Sequence, residues 1–138
     1  MWTCPKCSRI FEKEKQVHSC KQIPIHQHFN KKQKAKEIFY FLVNKIENQI
    51  GKCRIISIPC CVHLFGKYDF LAALPKKDKL EIRFSLNRVL DSSRLKQSVS
   101  VSSKYYKNCI DLNNTTDVDK ELIGWLKEAY KLKEKDNK

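Results

Sequence analysis

The chain has 138 residues with 41% hydrophobic side chains, enough for one core of ordinary size beside a short appended module, and only three Gly and four Pro, too few for a fibrous or disordered chain. No apolar run reaches the length of a bilayer span and no cleavable leader is visible, so the expectation is a soluble, cytoplasmic protein without a membrane partner. Net charge is +13: nine cations against three anions over residues 1–37, thirteen against six over 38–112, and six against six over 113–138. This concentrates the basic excess on the head and middle and points to an anionic partner.

The head opens with "WTCPKCSRIF", in which Cys4 and Cys7 form a C-x2-C pair, and continues through "HSC" and "IHQHF". That spacing lets two thiolates reach one ion, and a zinc knuckle usually supplies two such ligands from each of two pairs. The tightest set is Cys4, Cys7, His18 and Cys20; an alternative fourth ligand is His28 (or His26). Four protein ligands leave no open position, so the zinc is expected to be structural. A redox reading of the same pair needs a strand-to-helix junction, and only three residues precede Cys4. A DNA-reading finger using Cys20 with His26 meets Pro24 where its helix should run. Residues 1–28 are therefore expected to form a zinc knuckle with Trp2, Ile10 and Phe11 as a miniature core, and residues 29–138 the main domain.

"IPIHQHF" at 23–29 is expected to be an extended connector, because Pro24 disfavours helix at Ile23. In the segment that follows, Ala35, Ile38, Phe39, Leu42, Val43, Ile46 and Ile50 recur at helical steps, with Asn30 as a candidate cap and Gly51 as a stop. "CRIISIPCCVHLF" reads as strand interrupted by Pro59. "KYDFLAAL" and "KLEIRFSL" flank a turn-like "PKKD", with Leu80, Ile82, Phe84 and Leu86 inward and Glu81, Arg83 and Ser85 on a wet face. "QSVSVSS" and "YYKNCIDL" make a last strand pair. Thr116 and Asp119 suggest a capping box before a helix whose inward stripe is Val118, Leu122, Trp125, Leu126 and Ala129. The fold class is α+β: an antiparallel sheet of about five strands flanked by an N-terminal and a C-terminal helix, behind the knuckle.

The stretches "WTCPKCSRIF", "HSC" and "HFNKK", with the ending "DVDKELIGWLKEAY", resemble bacterial proteins of domain of unknown function family 5655. The resemblance implies an α+β domain behind a zinc-binding head and no known activity; some relatives carry the domain beside nuclease-like modules, an analogy that favours a nucleic-acid context.

No phosphate-binding glycine loop, H-E-x-x-H or G-x-S-x-G occurs. The reading is a zinc-binding module with a nucleic-acid or protein partner, and no catalytic residue is assigned. For nucleic acid the candidates are Lys31, Lys32, Lys34, Lys76, Lys77 and Arg83, with Lys36, Lys79, Arg88, Arg94, Lys96, Tyr105 and Tyr106 as further raw material; a solvated lysine surface explains the same residues. Two enzyme alternatives remain beside a small-ligand pocket. Asp69 with Glu81, which Arg83 follows two residues on, would suit a metal-dependent nuclease, although a cross-strand ion pair to a neighbouring cation explains the same residues. Cys61 with His63, two residues on along one strand face, would suit a cysteine-based reaction. Cys53, Cys60, Cys61 and Cys109 are otherwise buried small hydrophobes.

Overall fold

The computed structural model describes residues 2–6, 10–11, 13–17, 21–100 and 104–136, with side chains described up to Leu132 and Ile10 as backbone only. Cys7, His18 and Cys20 lie outside these residues. A two-stranded hairpin, β1 (Trp2–Thr3) and β2 (Ile10–Phe11), brackets the C-x2-C segment. The Trp2 and Phe11 rings lie 6.0 Å apart across it. Residues Ile25–Phe29 wind into a 3-10 helix, which corrects the extended connector. Proline restricts the residue before it, and Pro24 (φ −58°) caps the turn that starts after it.

Helix α1 (Gln33–Gln49) buries Ala35, Ile38, Phe39, Leu42, Val43 and Ile46 as its apolar spacing requires. Its start is not capped by Asn30: Lys32 takes the cap position without a side-chain bond, and Asn30 closes the preceding 3-10 turn. Gly51 donates its N–H to Ile46 O at 3.0 Å without a left-handed φ. Its lack of a side chain answers a different need, because an added Cβ would lie 2.9 Å from the Tyr130 hydroxyl oxygen.

Six antiparallel strands follow: β3 (Arg54–Ile58), β4 (Cys61–Phe65), β5 (Asp69–Pro75), β6 (Leu80–Leu86), β7 (Leu95–Ser100) and β8 (Tyr106–Leu112), in the order β3-β4-β5-β6-β8-β7. Pro59 and Cys60 form a two-residue turn, so the run read as one broken strand is a β3–β4 hairpin with Ile58 opposite Cys61. Proline has no N–H for a ladder, and a turn is where that loss costs least.

Helix α2 (Lys120–Asp136) packs beside α1 on the same sheet face. Asp119 caps it by accepting the Leu122 N–H at 3.0 Å. The box expected at Thr116 and Asp119 sits two residues earlier, where Asp117 accepts the Asn113 and Asn114 N–H groups. Val62, Leu64, Ala73, Leu80, Ile82, Leu86, Ile110 and Leu112 join the helical stripes in the main core, all at most 1% exposed on the sheet side. No described helix is long and apolar enough to cross a membrane.

The opposite sheet face differs from the wet surface that alternation suggests. Ile56, Ile58, Cys61 and Phe65 form a second apolar cluster there, and Glu81 is only 5% exposed. Period-2 patterning assigns residues to faces, but it does not say whether a face meets water.

A thiol–imidazole cleft on the sheet face

Three side chains with metal-ligating atoms meet at the start of β4. Cys60 lies on the exposed hairpin turn, while Cys61 and His63 project from alternate positions of β4 to the same face. Cys61 Sγ is 3.1 Å from His63 Nε2 and 2.8 Å from Cys60 Sγ. The ligand atoms of Cys60, Cys61 and His63 all lie within 4.8 Å of one another, so this group can hold a metal ion. His63 Nδ1 lies 2.7 Å from Asp69 Oδ2, at the bulge that lets β5 begin opposite Phe65. The carboxylate approaches off the N–H axis and makes an electrostatic contact, not an aligned hydrogen bond. Burial pushes the Cys61 thiol up to about 12, with the neighbouring Cys60 thiol and the Asp69 charge adding to the shift. Without a metal, Cys61 is therefore protonated, which speaks against a resting thiolate nucleophile.

The cluster opens into a cleft of about 470 Å³. Strands β5 and β6 are paired only over Ala72–Pro75 and Leu80–Arg83. Beyond Ala72 they part, and Phe70, Phe84 and the α2 residues Ala129 and Leu132 line the gap. One cross-strand row runs Ile56, His63, Ala72, Arg83, Cys109. Strands lie about 4.8 Å apart, so His63 and Arg83 are about 10 Å apart at the backbone, with only the small Ala72 between them.

The carboxylates once paired for a nuclease each have another partner. Asp69 faces His63, and Glu81 accepts from Arg83 Nε at 2.9 Å and from Lys96 Nζ at 3.0 Å. Burial opposes the Glu81 charge, but the Lys96 and Arg83 bonds outweigh it and hold the carboxyl below its ordinary value. Arg88 makes a two-point contact with Glu128, Lys79 pairs with Asp111, and Arg94 bonds Asp119 and Glu121 beneath the Trp125 ring. Each of these cations therefore has an acidic partner within the fold. Among the nucleic-acid candidates, Lys32 donates to Pro75 O at 3.1 Å, which brings the start of α1, with Lys31 and Lys34, to the β5–β6 turn carrying Lys76 and Lys77. Arg83 does not join this group, because it lies on the sheet face against Glu81. Tyr105 and Tyr106 are half-buried.

In the head, Cys4 is 4% exposed. His28 Nε2 donates to Ile58 O at 2.8 Å, which leaves Nδ1 as its ligand atom. Desolvation lowers its pKa despite that bond, which favours the neutral ring. The pairing of Cys61 with His63 was readable from spacing, whereas the contribution of Cys60 was not. The adjacent Cys-Cys after a proline was its only signal, and the turn that aims both sulfurs at one point is a three-dimensional feature.

No curated protein and no solved structure matches the chain. A family model described as "Domain of unknown function (DUF5655)" matches residues 25–133, well over half of the chain, and leaves residues 1–24 outside it. The body that carries the sheet, both helices and the thiol–imidazole cleft thus belongs to the DUF5655 family.

Proposed function

We propose that this protein is a metal-dependent ligand-binding module in which Cys60, Cys61 and His63 hold one zinc-class ion whose fourth position faces the cleft. The observation that carries this reading is the convergence of two sulfurs and an imidazole nitrogen at the mouth of a partly apolar cavity, with Asp69 beside the other ring nitrogen. A carboxylate behind a ligating histidine is the usual second support of such a metal, and two thiolates with one imidazole suit zinc while leaving a site for water or ligand. Binding removes the proton that burial holds on Cys61. It also requires the sulfurs to part from 2.8 Å to about 3.8 Å, the spacing of two thiolates at tetrahedral zinc. Cys60, on its exposed turn, is the residue placed to move. A metal-bound water there would be a Lewis-acid-activated nucleophile, so the same centre can bind a ligand or hydrolyse one.

The head is a separate, structural zinc module in this reading, with Cys4, Cys7, His18 and Cys20 as ligands and His28 as the alternative. Thiol sets of this kind persist in a reducing compartment, which favours the cytoplasm. The experiment is metal analysis of wild type and of the Cys60→Ser/Cys61→Ser double variant. Two zinc ions per chain falling to one, with loss of thiolate-to-metal absorption in the cobalt-substituted protein, supports the proposal. An unchanged metal content in the double variant overturns it.

A second reading has its own support. The Lys32–Pro75 contact brings the segment carrying Lys31 and Lys34 beside the turn carrying Lys76 and Lys77, a cationic group able to track a nucleic-acid backbone. Gel shifts at two salt concentrations test it: Lys76→Glu/Lys77→Glu should abolish a salt-sensitive shift, and a shift unaffected by either change refutes it.

A further inference from the structure

Four cations face two carboxylates on the part of the sheet beside the cleft. Lys79, Arg83, Lys96 and Lys107 stand against Glu81 and Asp111, while Asp69, the other carboxylate lining the cleft, is engaged by His63. Glu81 serves both Arg83 and Lys96, and Asp111 serves both Lys79 and Lys96. Lys107 is half-buried, lines the cleft, and has no acidic partner among the described residues. The register sets Arg83 opposite Cys109 and Ser85 opposite Lys107, so Arg83 and Lys107 are diagonal neighbours on one face. Diagonal neighbours sit about 7–8 Å apart at the backbone, close enough for two long cationic side chains to close on one anion. The wall next to them is apolar, formed by Phe70, Leu71, Phe84 and Leu132.

We propose that the cleft recognises a small organic anion, a carboxylate or phosphate ester with an apolar body, whose charged end is held between Arg83 and Lys107 and whose other end reaches toward His63. This rests on the cleft being the functional site. It adds the class of ligand, and it fixes the ligand's orientation, because Ala72 is the only side chain in the row separating the anion anchor from the metal group. The span of about 10 Å between the two ends selects an elongated molecule over inorganic phosphate.

The test is a titration of isotope-labelled, zinc-loaded full-length protein with 4-phenylbutyrate, with its neutral amide and with inorganic phosphate, followed by amide chemical shifts. Saturable shifts at Ala72, Arg83 and Lys107 with the carboxylate alone support the proposal. Lys107→Gln, which disturbs no ion pair, should weaken binding about tenfold, as loss of one charge-assisted hydrogen bond would. Ala72→Phe should block entry while leaving metal content unchanged. Equal binding of acid and amide, or wild-type affinity in Lys107→Gln, overturns the proposal. The Cys61→Ser protein separates this from the metal reading: carboxylate binding that survives there, with the metal lost, upholds the anion anchor, whereas full metal content in wild type with no carboxylate shift refutes the anchor alone.

Discussion

Alkylation of Cys61 in the metal-free, reduced protein measures the chemistry of the cleft directly. With the thiol pushed up to about 12, only about one molecule in ten thousand carries the thiolate at pH 8, against about one in ten for an ordinary thiol. Because thiolate is the reacting species, iodoacetamide should modify Cys61 about a thousandfold more slowly than a model thiol. Slow reaction alone would also follow from blocked access, so the pH profile decides: the logarithm of the rate should keep rising with pH past 9 and on toward 11. Tandem mass spectrometry separates Cys61 from the adjacent, exposed Cys60. Asp69→Asn removes one of the charges that raise the thiol and should increase the rate. The sign for stability follows from the same shift. A neutral thiol is favoured by the fold, so its contribution is whole below the unfolded value near 9 and is lost as pH climbs toward the folded value. A rate that plateaus near pH 9, or one equal to a model thiol in a protein whose near-UV circular dichroism is native, would refute the claim that burial controls this group.

Glu81→Gln leaves Arg83 and Lys96 without their shared carboxylate. Removing one partner of a buried pair costs about 3–5 kcal/mol, and since the side chains of both cations are roughly two-fifths exposed, a loss nearer 2 kcal/mol is expected in urea unfolding; a variant as stable as wild type contradicts it. For the same carboxylate, whose folded pKa is lowered, stability is present above the unfolded value near 4.5 and should fall as pH drops below it, an acid limb that Glu81→Gln should blunt. Gly66→Ala should destabilise by about 2 kcal/mol, because its Cβ would meet the Tyr130 ring at 2.6 and 2.9 Å and disturb the bond from the Tyr130 hydroxyl to Lys52 O; Gly124→Ala, with open space around it in α2, should instead stabilise by about 1 kcal/mol, and equal effects at the two sites in thermal melts would sink this packing argument. A chelator should loosen the Trp2–Phe11 hairpin, read by tryptophan fluorescence, while far-UV circular dichroism of the body stays constant; loss of both signals together would mean that the head is not a separate module.

The two amphipathic stripes and the alternation of Leu80, Ile82, Phe84 and Leu86 were legible because burial on one face imposes a period, and period is a property of the chain alone. They determined the α+β class and which residues form the main core. The second sheet face was not legible. Glu81 and Arg83 read as solvated, yet Glu81 is buried because Lys96, fifteen residues away, crosses β8 to reach it. The lysines at the start of α1 and in the β5–β6 turn were candidates by composition, and only the Lys32–Pro75 bond makes them neighbours. The Cys61–His63 pair followed from two-residue spacing. Its extension to Cys60, to Asp69 across the bulge and to a cleft where β5 and β6 separate depended on a turn, a register shift and an unpaired strand end. Local pattern decides what each element buries. Non-local pairing decides which polar groups meet, and polar meetings make a site.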